Sequence, residues 1–150
     1  MTKNEIVPEG FIPENIPVVR DFVSDLTSES VSFCSMQAND NKSKAMLFKA
    51  MNNPEKRIGD CINTLIKVKD VYCETVQVVS NETGETEWVP RVVLIDEKGT
   101  SYQAVSMGVY SALAKVIRVF GMPTWNEPIP IKIKQISRGE RKILTFDVEY

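Results

Sequence analysis

The sequence contains no histidine among its 150 residues. Histidine is the commonest general base near neutral pH and the commonest metal ligand, so its absence removes most familiar hydrolase and metalloenzyme sites. The chain also lacks a Walker loop, a GxGxxG dinucleotide motif and a GxSxG nucleophile motif. We therefore expect no enzymatic activity, no cofactor and no bound metal.

Cysteines and long apolar runs are also scarce. Cys34, Cys61 and Cys73 are odd in number and widely spaced, and no CxxC pair is present. This pattern is typical of reduced thiols in a reducing compartment. The longest uninterrupted aliphatic run is Val92 to Ile95, and the N-terminus lacks the apolar region of a secretory signal. We expect a cytoplasmic protein with no membrane segment.

One acidic cluster superficially matches part of a nuclease site. Asp96, Glu97 and Lys98 are consecutive, but Gly99 follows them at once. A metal nuclease needs a second carboxylate that converges from another strand. We interpret this triplet as a turn between two strands.

Charge is distributed unevenly along the chain. The net charge is −2, but residues 1 to 30 carry six acids against two bases, a net of −4. The rest of the chain is therefore about +2. Residues 115 to 142 carry seven bases against two acids, so one region is clearly basic.

The first 29 residues read as an extended N-terminal arm. Pro8, Pro13 and Pro17 disfavour helix, and apolar residues lie between them. One interpretation is a flexible leader. The other is an arm that docks Phe11 and Ile12 on a neighbouring subunit, so that the protein self-associates.

Residues 30 to 150 form the predicted domain. An extension comes first, with a strand over 30 to 37 and a helix over 42 to 51. Five strands are then predicted, over Ile62–Val79, Trp88–Ile95, Thr100–Val105, Ile129–Ile136 and Ile143–Tyr150.

A helix over Gly108–Phe120 separates the third and fourth of these five strands. Its apolar stripe consists of Val109, Ala112, Leu113, Val116, Ile117 and Phe120. Ser106 is placed to cap its start, and Gly121 follows its end. This order predicts a mainly β fold, a five-stranded OB-fold Greek-key barrel with a β–α extension before it.

Aromatic residues near such a barrel are candidates for stacking the bases of single-stranded nucleic acid. Tyr110 is expected at the edge of the helix stripe with an exposed ring, either stacking a base or contacting the barrel rim. Trp88 and Trp125 are base platforms or core plugs. Tyr102 lies on the usual binding face if it points outward, which the alternation cannot settle. Tyr72 and Phe48 are further candidates.

The basic candidates lie later in the chain. Lys132 and Lys134 alternate with isoleucines and should project from one strand face. They either contact phosphates or are solvated charges of an edge strand. Arg138 and Arg141 lie at the adjoining hairpin tip, and Arg118 shares its helix flank with Tyr110.

Two stretches resemble a known family. They are Gly99 to Ser106, followed by Tyr110, Arg118, Phe120-Gly121 and Pro123 to Trp125, and then Ile131 to Gly139. They resemble the small OB-fold single-stranded-DNA-binding proteins encoded by phages and conjugative plasmids of Gram-positive bacteria. The resemblance implies sequence-tolerant binding of single-stranded DNA in replication or conjugative transfer, with several protomers along one strand. The alternative is a protein-interaction OB module of such a complex that binds DNA only weakly.

Overall fold

A computed structural model describes residues 32–150, which form a mainly β fold of seven strands and two helices. The arm predicted over residues 1–29, with Phe11 and Ile12, lies outside the described residues, so the arm and its boundary stay predictions. The strands are β1 (Ser32–Cys34), β2 (Lys56–Arg57), β3 (Leu65–Val79), β4 (Thr86–Asp96), β5 (Ser101–Val105), β6 (Ile129–Arg138) and β7 (Arg141–Val148). The helices are α1 (Asn41–Asn52) and α2 (Met107–Phe120), and a short 3-10 turn spans Ile58–Asp60.

All seven strands belong to one sheet, in the order β2-β5-β4-β3-β6-β7, with β1 beside β3. The predicted β–α extension is present as β1 and α1, and the predicted helix lies between β5 and β6. Within residues 32–150 no strand pairing joins β5 to β7. The observed sheet is consistent with an OB-like barrel and has two more strands than the five predicted for the barrel itself.

Strand β3 is the centre of the sheet because it pairs with three other strands. Residues 68–79 pair with β4 along one edge. The other edge is divided between β6, which pairs with residues 65–68, and β1, which pairs with residues 72–74. The strand begins at Leu65 instead of the predicted Ile62, because Asn63 adopts a left-handed φ of 69° and turns the chain.

A β-bulge at Lys69 divides β3 into two halves of opposite alternation. The register with β4 shifts between Val68 and Asp70. As a result Ile66 and Val68 face the same side as Val71 and Cys73, although their numbers differ in parity. We call this side the inner face of the sheet and the opposite side the outer face.

Helix α2 packs on the inner face and builds the main core. Its buried residues meet Ile66, Val71, Leu94 and Ile133. As predicted, Ser106 caps the helix by accepting a hydrogen bond from the Val109 N–H at 3.1 Å. The predicted Phe120 contact is weaker than expected, because Phe120 is 43% exposed.

Helix α1 covers part of the outer face and builds a second, smaller core. Ala50 packs with Tyr72, Val93 and Ile95. Residues 92–95 of β4 are therefore buried on both sides of the sheet.

The start of α2 is held against β7. A Cβ atom on Gly108 would lie 2.1 Å from the Leu144 carbonyl oxygen and 2.9 Å from Ile143 Cγ2. Ser106 Oγ donates to the same carbonyl at 3.4 Å. This contact joins the β5 end of the sheet to β7 through the helix.

We predict that Gly108→Ala destabilises the protein by about 1–3 kcal/mol, because backbone atoms of β7 cannot move aside cheaply. Gly59→Ala is the matched control, since a Cβ atom there meets nothing within 4 Å. Urea unfolding followed by circular dichroism compares the two. Equal midpoints for the two variants would contradict the close packing of α2 on β7.

A second prediction concerns the three thiols. Cys73 is only 3% exposed, and burial raises its pKa to about 12. Cys34 is exposed and Cys61 is half-buried. In the folded protein an aromatic disulfide reagent should modify Cys34 and Cys61, whereas Cys73 should react only after addition of denaturant. Modification of all three thiols at one rate without denaturant would show that the inner core is open.

Candidate nucleic-acid interface

The basic candidates on β6 and β7 share the outer face of the sheet. Ile131 and Ile133 are buried on the inner face, so Lys132 and Lys134 project outward, as predicted. Arg138 pairs directly with Arg141 at the exposed hairpin tip. The same alternation therefore places the side chains of the tip and of the strand on one side.

The strand register extends this surface onto β3. Lys132 pairs with Leu65, and Lys67 pairs with Pro130. Since Ile66 and Val68 face inward, Leu65 and Lys67 face outward with Lys132. The cationic surface, as we name it, consists of Lys67, Lys132, Lys134, Arg138 and Arg141.

Apolar side chains lie between the charges of the cationic surface. Leu65 is 50% exposed and Ile136 is 39% exposed. Ile136 pairs with the half-buried Ile143. Exposed apolar and cationic side chains therefore alternate on this surface.

Most charges on this surface have no opposing ion. Lys134 is the exception, because its Nζ lies 3.0 Å from Asp147 Oδ2 and 3.7 Å from Glu149 Oε2. The hydrogen bond to Asp147 and the two negative charges raise the pKa of Lys134. Among residues 32–150, Lys67, Lys132, Arg138 and Arg141 form no ion pair. These four carry the free positive charge of the surface.

The exposed ring predicted for Tyr110 is not observed. Tyr110 is 6% exposed and belongs to the inner core. The helix flank that carries it is covered as well, since Ala114 is also buried. Burial raises the pKa of the Tyr110 hydroxyl above its ordinary value.

Tyr102 points to the inner face, because it pairs with Leu94 in the core. Its hydroxyl donates to Asp96 Oδ2 at 3.1 Å, and Lys56 Nζ lies 5.8 Å from its ring centroid. Burial and the Asp96 carboxylate raise the pKa of Tyr102 to about 12. The outward orientation considered for this ring is therefore wrong.

Tyr72 faces outward but is covered by α1. It is 5% exposed, and its hydroxyl donates to Glu74 Oε1 at 2.6 Å. Arg91 holds the other oxygen of Glu74 at 3.1 Å. Burial and this carboxylate raise the pKa of Tyr72. The ring is part of the second core and is not open to a base.

Trp125 was predicted to be either a base platform or a core plug, and the structure places it in the core. It is 7% exposed, and its Nε1 donates to the Gly121 carbonyl at 3.0 Å. Its backbone N–H donates to the carbonyl of Lys69, the bulge residue of β3. Both polar contacts fix the indole beneath the sheet.

Three candidates remain accessible. Phe48 is 67% exposed on α1, which lies on the outer face like the cationic surface. Trp88 is half-buried in the β3–β4 hairpin, opposite Gln77, and its parity with Val92 directs it to the inner side, away from the cationic surface. Arg118 is exposed on α2 and therefore lies on the opposite side of the sheet from the cationic surface.

The turn after β4 forms as predicted, and the side chain of Asp96 accepts hydrogen bonds within it. Asp96 Oδ1 accepts from the backbone N–H groups of Lys98 and Thr100, each at 2.9 Å. Its Oδ2 accepts from Tyr102. Within residues 32–150 no group of three or more His, Cys, Asp or Glu side chains is placed to hold a metal ion.

Two site residues, Lys67 and Leu65, were missed as candidates from the sequence. Lys67 lies beside Lys132 only because of the β3–β6 register. Nothing local to Leu65 distinguishes it from a core residue. Its exposure follows from its position at the start of β3, where α1 does not cover the sheet.

Comparison with known proteins gives one informative match. No curated protein and no solved structure matches the chain. In the described part of the chain, no helix combines the length and apolar character needed to cross a membrane. Residues 26–149 match the family described as phage single-stranded DNA-binding protein, of the Phi29 type. Since the match covers most of the chain, this protein belongs to the phage single-stranded DNA-binding protein family.

Proposed function

We propose that this protein binds single-stranded DNA without sequence preference, in the replication or conjugative transfer of a mobile genetic element. The observation that carries the mechanism is the register of β3, β6 and β7, which places five basic side chains on one outer face. The family match supports single-stranded DNA as the ligand, and the strand register supports the outer face of the sheet as the place where it binds. The protein acts by coating DNA and is not an enzyme.

Phosphate neutralisation supplies most of the affinity in this proposal. A polynucleotide that follows β6 from the hairpin tip toward β3 meets Arg138, Arg141, Lys132 and Lys67 in turn. Basic side chains that neutralise phosphates release condensed counterions, so binding weakens as salt rises. None of these contacts reads a base, which accounts for the absence of sequence preference.

Base stacking is a smaller contribution than the sequence indicated. Tyr72, Tyr102, Tyr110 and Trp125 are buried, so their rings reach a base only if the cores open. Phe48 is the most exposed of the candidate rings. We assign it the principal stacking role, because Trp88 has the inner-face parity of Val92 and does not face the cationic surface.

The fold and assembly belong to the same proposal. We interpret β3 to β7 as the five strands of an OB-type barrel, with α2 bridging its open side through Gly108 and Leu144. The arm of residues 1–29 joins neighbouring protomers along the DNA through Phe11 and Ile12. Several protomers would then line one strand.

The contribution of phosphate neutralisation to the affinity is tested by replacing the two arginines of the hairpin tip. In the double variant Arg138→Ala/Arg141→Ala, the slope of log affinity for oligo-dT against log salt should fall by about 1.4, at about 0.7 per phosphate contact. Fluorescence anisotropy at four ionic strengths measures it. Arg118→Ala is the control, because Arg118 is exposed on α2, on the other side of the sheet.

A slope unchanged from wild type in the arginine variant would move the DNA away from the hairpin tip. A wild-type affinity that does not respond to salt would favour the alternative, a protein-interaction module with weak DNA binding.

The stacking role is tested at Phe48. Phe48→Ala should weaken oligo-dT binding about tenfold or more, because a stacked base contributes about 1–3 kcal/mol. The unfolding midpoint should not change, since the side chain is 67% exposed. Phe48→Trp keeps a stacking ring, and Phe48→Leu keeps only apolar bulk. Wild-type affinity in the leucine variant would reject stacking.

A further inference from the structure

A groove runs between the outer edge of β7 and one side of α2. Its walls include Ala112, Val116 and Val119 of the helix and Phe146 and Val148 of the strand. Its volume is about 320 Å³, within the range of cavities that hold bound groups. The apolar walls of this groove lie on the inner side of the sheet, and the groove adjoins the cationic surface at Asp147, which pairs with Lys134.

The β7 side of the groove presents an open strand edge. Glu149 donates its N–H to Pro130 on β6, and Asp147 pairs with Lys132. In an antiparallel pair the alternate residues, here Phe146 and Val148, therefore direct their N–H and C=O groups away from β6. Within residues 32–150, β7 pairs with no strand other than β6. An extended segment can add to such an edge through main-chain hydrogen bonds.

The helix side of the groove presents exposed apolar side chains. Val119 is 76% exposed and Phe120 is 43% exposed. The Phe120 ring lies 6.4 Å from the ring of Tyr150, centroid to centroid, and Tyr150 is 89% exposed. Together they form an apolar patch directly beside the open edge, which is the combination that binds an apolar extended peptide.

We propose that this groove accepts the N-terminal segment of a neighbouring copy, which adds to β7 as a strand and seats Phe11 and Ile12 against Val119 and Phe120. The inference rests on the proposed self-association through the arm and names its acceptor. The atoms of the peptide backbone pair with Phe146 and Val148, and the two apolar side chains fill the groove.

Composition and charge favour this occupant. The segment before Ser32 is rich in proline and β-branched or aromatic residues, which disfavour helix and favour extended chain. Glu9 and Glu14 flank Phe11 and Ile12. The groove holds Lys115 beside Asp147, and Asp147 is already paired with Lys134. Lys115 is therefore placed to meet an acid of the incoming segment.

The route of the chain favours a neighbouring copy over the same molecule. β1 begins at Ser32, which pairs with Glu74 on β3, and β6 and β7 lie between that edge and the groove. A segment of 31 residues reaches about 100 Å when extended, so distance alone excludes neither route. A segment that reached its own groove across the outer face of β6 would, however, cover the cationic surface. Docking on another copy leaves that surface open for DNA.

The groove is tested with Val119→Glu in the full chain. A charge at this position disrupts the apolar contact, and the fold should tolerate it because the side chain is exposed on a helix. Self-association on long oligo-dT, measured by mass photometry, should weaken about tenfold, equivalent to about 1.4 kcal/mol. Val79→Glu is the matched control, a 66% exposed valine on the β3–β4 hairpin, and should assemble like wild type.

A photo-crosslinking amino acid in place of Phe11 tests the route. Peptide mapping should find residue 11 joined to residues 112–120 or 145–148 in covalent dimers. Crosslinks to the groove within single chains would overturn the proposal, and so would crosslinks elsewhere. Wild-type assembly by Val119→Glu would overturn it too.

Binding to an oligonucleotide long enough for only one protomer tests the proposed DNA binding separately from the proposed docking of protomers. Val119→Glu should bind it with wild-type affinity. If wild type binds the short oligonucleotide but never self-associates on long DNA, the groove proposal fails and DNA binding stands. If wild type does not bind the short oligonucleotide, the DNA-binding proposal itself fails.

Discussion

The pairing of β3 with three other strands is the constraint on which the rest of the structure depends. One edge pairs with β4 from residue 68 to residue 79, and the other is shared by β6 and β1. The bulge at Lys69 allows this, because it reverses the alternation so that both halves of the strand contribute to one core. It also turns Asp70 outward, where its buried carboxylate accepts hydrogen bonds from Ser35 and Thr124. The approach to α1 and the segment before β6 are thereby tied to the same strand.

This arrangement divides the chemistry of the molecule between its two faces. The inner face and the α1-covered part of the outer face take the large rings into cores. The uncovered part of the outer face keeps lysines, arginines and a few aliphatic side chains. A surface of this kind is suited to contact with a sugar–phosphate chain more than to stacking on a row of aromatic platforms.

Local patterns predicted the elements well and the orientation of the rings poorly. The α2 stripe and the Ser106 cap are confirmed, and so is the inward and outward alternation of Ile131 to Lys134. Tyr72 could not be placed, because a bulge leaves no clear sequence signal and changes the parity of every later residue. Tyr110 was misjudged because the width of the covered helix face depends on the curvature of the sheet. Lys67 joins the site only through long-range register, which a single sequence does not contain.

The hairpin of β6 and β7 extends beyond the end of β3. Residues 135–138 and 141–144 pair only with each other, so Arg138 and Arg141 stand at the end of a two-stranded ribbon. Two-stranded ribbons are more strongly twisted than sheet interiors. The tip is therefore rotated relative to the root of the ribbon, which β3 holds in the sheet. The cationic surface is in this way a curved strip and not a flat one.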